Sequence, residues 1–328
     1  MLGLTPMPAG DVPAQKWIEA APADPTIEVV ERALRTRLDA VLYYLPLAAE
    51  RADEDVEYVH ELRVWTRRAG AALRLCRDLL PCRRLCWINK QLKRIRRAAN
   101  EARNLDVLIQ RLEGVRRPSP VQMRRLEASR AERIEAQATL VSVYHRLQRD
   151  DRFARRVRGL IARVHPPGRR SPDSRFGAWA RNQLHVLVEQ FFAAVPADQT
   201  DEEALHQFRV RGKELRYALE ILVGACPAVA RDKLYPAIAD IQDRLGAIND
   251  LATSAEDLRR RIEAAGDEAE ARALRRLLRS EDARLREARG EFWQACSPAR
   301  LSRLHRDFRT ALSALVGAHQ RRVHQVLG

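Results

Sequence analysis

His60-Glu61-Leu62-Arg63-Val64-Trp65-Thr66-Arg67-Arg68 recurs as His206-Gln207-Phe208-Arg209-Val210-Arg211-Gly212-Lys213-Glu214, an offset of 146 residues. The same offset pairs Arg35 with Arg181, Leu73 with Leu219, Pro81 with Pro227, Ile95 with Ile241 and Leu105 with Leu251, so one register runs ungapped over roughly seventy residues. Chance matches do not keep a register over such a length. The chain reads as two copies of one helical unit.

Each copy places a basic stripe on that segment. His60, Arg63, Arg67 and Arg74 fall on one face at 3.6 residues per turn, while Leu62, Trp65, Ala69 and Leu73 point elsewhere. The second copy repeats the stripe as His206, Arg209, Lys213 and Arg216, with Leu205, Phe208, Leu215 and Leu219 apolar. A solvated face is the usual fate of such residues. Like charges stacked along one face repel, however, and both copies keep His, then Arg, then a cation; an anion that neutralises them accounts for this. For either His, packing or an interhelix hydrogen bond is the alternative to ligand contact. A second band, Lys93, Arg96, Arg97, Asn100 and Arg103, backs the first stripe; its counterparts are Ala239, Gln242, Asp243, Gly246 and Asn249, so the band is concentrated in the first copy.

The composition agrees with a helical, anion-directed protein. The 328 residues suit about two domains, and only 5% are aromatic. Ala, Leu, Arg and Glu dominate, which favours helix over sheet. The formal net charge of +15 points to a phosphate-rich or acidic partner. Of the 59 basic residues, five are Lys (16, 90, 93, 213 and 233) and the rest Arg, the side chain with forked donors for phosphate oxygens.

The expected organisation is a disordered, Pro-rich tail over 1–25, a first bundle over 26–164, a linker over 165–173 and a second bundle over 174–328. Helices are expected at Thr26–Leu45 with Thr26 as N-cap, at Asp55–Leu80 stopping before Pro81, and at Leu85–Leu112. A long pattern from Val121 to Val164 follows, with a break near Asp150-Asp151. In the second half, breaks are expected near Pro196–Asp201 and at Pro227, and helices over Glu268–Cys296 and Pro298–Leu327. Each half then makes about four long helices. No alternating strand pattern of useful length appears.

Several chemistries lack their signatures. The eight histidines show no HExxH, and there is no GxxxxGK[ST], GxGxxG or GxSxG. Phosphoryl transfer needs a metal site or a positioned base, and none is specified; no catalytic residue, metal site or cofactor is expected. No leader and no run near the ~20 apolar residues of a membrane span is visible. The odd, scattered cysteines suit a reducing cytoplasm. Cys82 and Cys86, one turn apart, are either a metal or redox pair or two thiols packed as small hydrophobes.

Val59-His60-Glu61-Leu62-Arg63-Val64, Thr66-Arg67-Arg68, Leu105-Asp106-Val107, Leu205-His206, Phe208-Arg209-Val210, Lys213, Leu215-Arg216-Tyr217 and Leu245-Gly246 with Asn249-Asp250-Leu251 together resemble the conserved histidine α-helical domain (CHAD) family. The likeness covers about residues 26 to 328. It implies an all-α fold of two four-helix bundles, related by an internal pseudo-twofold repeat around a basic cavity or groove. It further implies non-catalytic binding of inorganic polyphosphate by His60, Arg63, Arg67, Arg74, Lys93, Arg96, Arg97, Arg103, His206, Arg209, Lys213 and Arg216. Some members carry a triphosphate-tunnel domain with an ExExK strand; that motif is absent here, so the chain resembles a stand-alone form. Asn100 and Asn104 depart from the family pattern of Gly and Asp, and Glu220 falls where the first copy has Arg74. A binder of RNA or single-stranded DNA is the alternative, and a polyphosphate-processing enzyme the third reading. The expected location is the cytoplasm, in association with polyphosphate granules.

Overall fold

The computed structural model describes residues 15–117, 120–165 and 175–326, and every regular element within them is helical. The chain packs as two compact units, the first from residues up to Ile18 together with Pro25–Ser174, the second from Glu19–Asp24 together with Arg175–Gly328. Among the described residues no helix is long and apolar enough to cross a membrane.

The first unit contains α1 (Thr26–Glu50), α2 (Glu57–Leu75), α3 (Cys82–Glu113), α4 (Pro120–Gln148) and α5 (Arg152–Ile161). The second contains α6 (Phe176–Ala193), α7 (Glu202–Leu222), α8 (Tyr235–Glu263), α9 (Glu268–Ala295) and α10 (Pro298–Val326). Among the described residues each unit thus has five α-helices, where about four long ones were expected. In the first, the extra one arises where Asp150 and Asp151 adopt positive φ (55° and 50°), a left-handed conformation that Asp tolerates better than most residues. That break ends α4 and starts α5. α1 also differs from expectation: Pro25, not Thr26, is the N-cap, and Thr26 is buried in the first turn.

Elsewhere, side-chain chemistry sets the boundaries. Asp201 and Asp267 cap α7 and α9, accepting from the amides of Ala204 and Glu270, and acids fill the first turns. α2 ends at Leu75 and a 3₁₀ turn over Arg77–Leu79 delivers the chain to Pro81. The bounds of α2, advanced by 146, fall within one residue of those of α7. The counterpart of α3 differs: a π-helical turn at Ala230–Leu234 precedes α8.

Each unit has its own apolar centre. Leu34, Leu38, Leu62, Trp65, Leu73, Ile88, Ile95 and Leu140 fill the first. Phe176, Phe191, Phe208, Leu215, Leu219, Ile238, Phe292 and Phe308 fill the second, where the Phe191 and Phe208 rings stack at 4.8 Å.

Residues 15–25 depart from the expected disordered tail over 1–25, of which residues 1–14 lie outside the described residues. Ile18 is buried, and Arg37 on α1, itself 1% exposed, donates through its guanidinium to the carbonyls of Gln15 and Lys16. Further on, Pro22 O and Asp24 O accept from the amides of Gly177 and Phe176, satisfying two donors at the start of α6. A Cβ on Gly177 would lie 2.9 Å from the Pro22 side chain, and one on Gly224 would lie 2.4 Å from Ala20 O. Those glycines are the seats of this strap. Past His165, whose amide donates to Leu79 O, the expected linker over 165–173 lies outside the described residues.

Candidate functional site

α2 turns Val59, Leu62, Trp65, Thr66, Ala69 and Leu73 into the core, which leaves His60, Arg63 and Arg67 half-exposed on its flank and Arg74 exposed at its end. Arg63 Nε donates to Asn100 Oδ1 at 2.8 Å, and Arg103 lies 3.8 Å from Glu57. These two pairs set α2 and α3 antiparallel, with Arg96, Asn100 and Arg103 alongside the stripe. Lys93 and Arg97 are exposed on the same stretch of α3. His60, Arg67, Lys93 and Arg97 make no ion pair with any described residue. The structure therefore joins Arg63 and Asn100 directly and draws Arg96 and Arg103 to the stripe.

The acceptor chosen by Arg63 matters. A carboxylate in that place would add a negative charge beside the guanidinium, whereas an amide oxygen positions it without adding one. Thr66, one turn on, spends its hydroxyl on Arg63 O inside its own helix. Trp65 is buried, with its Nε1 donating to Glu61 and its ring covered by the guanidinium groups of Arg37 and Arg68 at 5.4 and 4.7 Å. Arg74 reaches back over the helix: a terminal nitrogen lies 3.7 Å from where a side chain on Gly70 would begin.

The second unit handles the same offsets differently. α7 carries His206 exposed, with Arg209, Lys213 and Arg216 half-exposed. Arg216 stands at the offset of Gly70. It donates to Asp243 Oδ1 at 2.8 Å and, at 3.4 Å, to Tyr235 Oη, which in turn donates to the buried Glu220 at 3.1 Å. Burial works against the Arg216 charge, but Tyr235 and Asp243 outweigh it and raise its pKa above the ordinary value. Burial, with the Glu220 charge behind it, raises that of Tyr235. Gly246 occupies the offset of Asn100, so the second unit has no side chain in that role. Gln242, at the offset of Arg96, is 3% exposed and neither of its amide atoms has a hydrogen-bond partner. It packs over Gly212, where a Cβ would come within 1.9 Å of its nitrogen. The second stripe is thus flanked by an amide and a carboxylate where the first is flanked by two arginines.

The Tyr235–Glu220 pair and the orienting part played by Asn100 are not among the residues picked out from the sequence. A Glu at the stripe position where the first copy has Arg74 is the one signal that set α7 apart. Two cavities, of 570 Å³ along Gln137–Arg149 and 280 Å³ beside Cys296 and Arg300, include no stripe residue. Among the described residues no group of three or more His, Cys, Asp or Glu is placed to hold a metal ion.

These features can be set beside known proteins. The model of the CHAD domain family matches residues 32–259, and the chain belongs to that family. The crystal structure of the CHAD domain from the plant Ricinus communis is similar, with a TM-score of 0.61 and 23% identity, covering 90% of this chain and 94% of that one. PptA from Streptomyces chartreusis is similar at a TM-score of 0.55 and 20% identity, covering 83% of this chain and 99% of its own. At such identities these two structures speak to the fold. No curated protein matches the chain.

Proposed function

We propose that this protein binds inorganic polyphosphate, without catalysis, through the basic faces of α2–α3 and α7. The observation that carries the reading is a cluster of cations on adjoining helices: Arg67, Lys93 and Arg97 have no carboxylate partner among the described residues, and Arg63 beside them donates to the Asn100 side-chain oxygen. Arginine fits bridging and terminal phosphate oxygens with paired donors, and lysine adds a point charge. Membership of the CHAD family supports the same ligand. The cytoplasm, at polyphosphate granules, is the location that goes with it.

The rival reading is a nucleic-acid binder, since any phosphate chain suits a basic face. Single-strand binders add aromatic platforms on which bases stack. Here Trp65, on the same helix as the first stripe, is buried and its ring is covered by two guanidinium groups. That favours a ligand without bases. The deciding experiment is competition of long-chain polyphosphate against single-stranded DNA and RNA at equal phosphate and fixed salt. Polyphosphate should displace both, with affinity falling steeply as salt rises. Equal affinity for all three would overturn polyphosphate as the dedicated ligand. Phosphate release from polyphosphate that survives repurification and is lost in Arg63→Ala would overturn the non-catalytic part.

A further inference from the structure

The first turn of α3 carries a second chemical feature, roughly 27 Å along the helix axis from Asn100. Cys82 and Cys86 are both exposed, and their Sγ atoms lie 3.9 Å apart. We propose that Cys82 and Cys86 form a two-thiolate site for one soft d¹⁰ cation of the zinc and cadmium kind.

The distance carries the argument. Two Zn–S bonds of about 2.3 Å at a tetrahedral angle put the sulfurs about 3.8 Å apart. The pair therefore has the bite of a single ion with the helix left as it stands. A disulfide is a different matter. It needs sulfurs about 2.05 Å apart, with the Cβ atoms near 4 Å, and residues one helical turn apart reach that only by unwinding. Thiolates select soft cations over magnesium or calcium. No third His, Cys, Asp or Glu completes the set among the described residues, so the remaining coordination positions face solvent or an added ligand.

The charges nearby do not oppose this. Arg83 and Arg84 flank Cys82 and have no carboxylate partner among the described residues. They repel a free cation. Binding, however, trades one divalent ion for two thiol protons, an exchange that leaves the local charge unchanged. The other three cysteines are chemically quiet. Burial pushes Cys76 and Cys226 up to about 12 and Cys296 up to about 11.

The test is a titration of the full chain, reduced with a phosphine, with Cd²⁺, read by the thiolate-to-cadmium charge-transfer band. The expected result is one Cd²⁺ per chain in a monomeric complex, with both exposed thiols shielded from alkylation. Cys82→Ser and Cys86→Ser, both at exposed positions, should each abolish the band while leaving far-UV dichroism unchanged. Absence of the band in the wild type would overturn the proposal, as would its survival in the double variant. So would a complex of two chains per ion.

Discussion

Arg63 Nε lies 2.8 Å from Oδ1 of Asn100, a neutral acceptor on the neighbouring helix. Exchanging that acceptor for a carboxylate keeps the geometry and changes the charge. Asn100→Asp should therefore leave melting unchanged or slightly improved while weakening polyphosphate binding roughly tenfold or more. A pair of unit charges about 4 Å apart is worth about 1 kcal/mol in water and about 4 at an effective dielectric constant of 20, and each factor of ten in affinity is about 1.4 kcal/mol. Calorimetric titration and thermal melts of the same preparation check it. Unchanged affinity would mean that Arg63 does not meet the ligand.

The unequal flanks of the two stripes make a second prediction. Asp243 already holds Arg216, and Gln242 and Gly246 replace Arg96 and Asn100. Arg63→Ala/Arg67→Ala should then cost more affinity than Arg209→Ala/Lys213→Ala. Charge-assisted contacts to a desolvated anion contribute about 1.5–3 kcal/mol, against under about 1 for exposed ones. Titrations of both variants at one ionic strength, with helicity verified first, decide it. Equal losses would contradict the asymmetry.

Gly212 is required by Gln242. Its Cβ would sit 1.9 Å from the Gln242 amide nitrogen, in a space also bounded by Phe191 at 3.1 Å. Gly212→Ala should destabilise the second unit by about 1–3 kcal/mol, the usual cost of overpacking. Adding Gln242→Ala should recover much of that loss, because the clash and a buried amide without partners disappear together. A double-mutant cycle from denaturant melts measures the recovery; independent, additive losses would show that the two residues do not compete for one space.

α10 is tied to α6 by a pH-sensitive contact. Glu189 meets His305 Nε2 at 3.0 Å and Arg309 at 3.8 Å, the His305 ring stacks on Phe192 at 4.3 Å, and His185 adds its field from α6. The hydrogen bond from His305, more than any other contact, holds the Glu189 pKa below its ordinary 4.5. A depressed carboxylate stabilises the fold above its unfolded pKa, and that contribution fades as pH falls through the folded value. Glu189→Gln should melt below the wild type near pH 6, and the gap should close towards about pH 3. Parallel melting curves across that range, with a constant gap, would assign the effect to packing alone.

The helix breaks were legible in the sequence wherever turn chemistry is local. Pro81, Pro227 and the Asp150-Asp151 pair mark interruptions by their own backbone preferences. The basic stripe was legible too, because a 3.6-residue period places Arg63 and Arg67 together without any knowledge of the fold. What stayed hidden depends on partners distant in the chain. Nothing near Gln15 or Ile18 announces that Arg37 will hold them, and nothing near Ala20 announces seats at Gly177 and Gly224.

The strap also bears on how such a chain came to be divided and how it can be taken apart. By sequence the halves look like detachable modules, joined end to end. By packing, the second takes six residues, Glu19–Asp24, from ahead of the first. A fragment that begins near residue 175 would lack the carbonyls that receive the amides of Phe176 and Gly177, and the hollows over Gly177 and Gly224 would stand open to water. The duplicated segment can be copied by duplicating a stretch of gene; the self-sufficiency of the second copy cannot, because part of its wall is borrowed from upstream. A split protein made at that point should therefore need residues 19–24 supplied again, on its own N-terminus or as a peptide, before it behaves as a folded half.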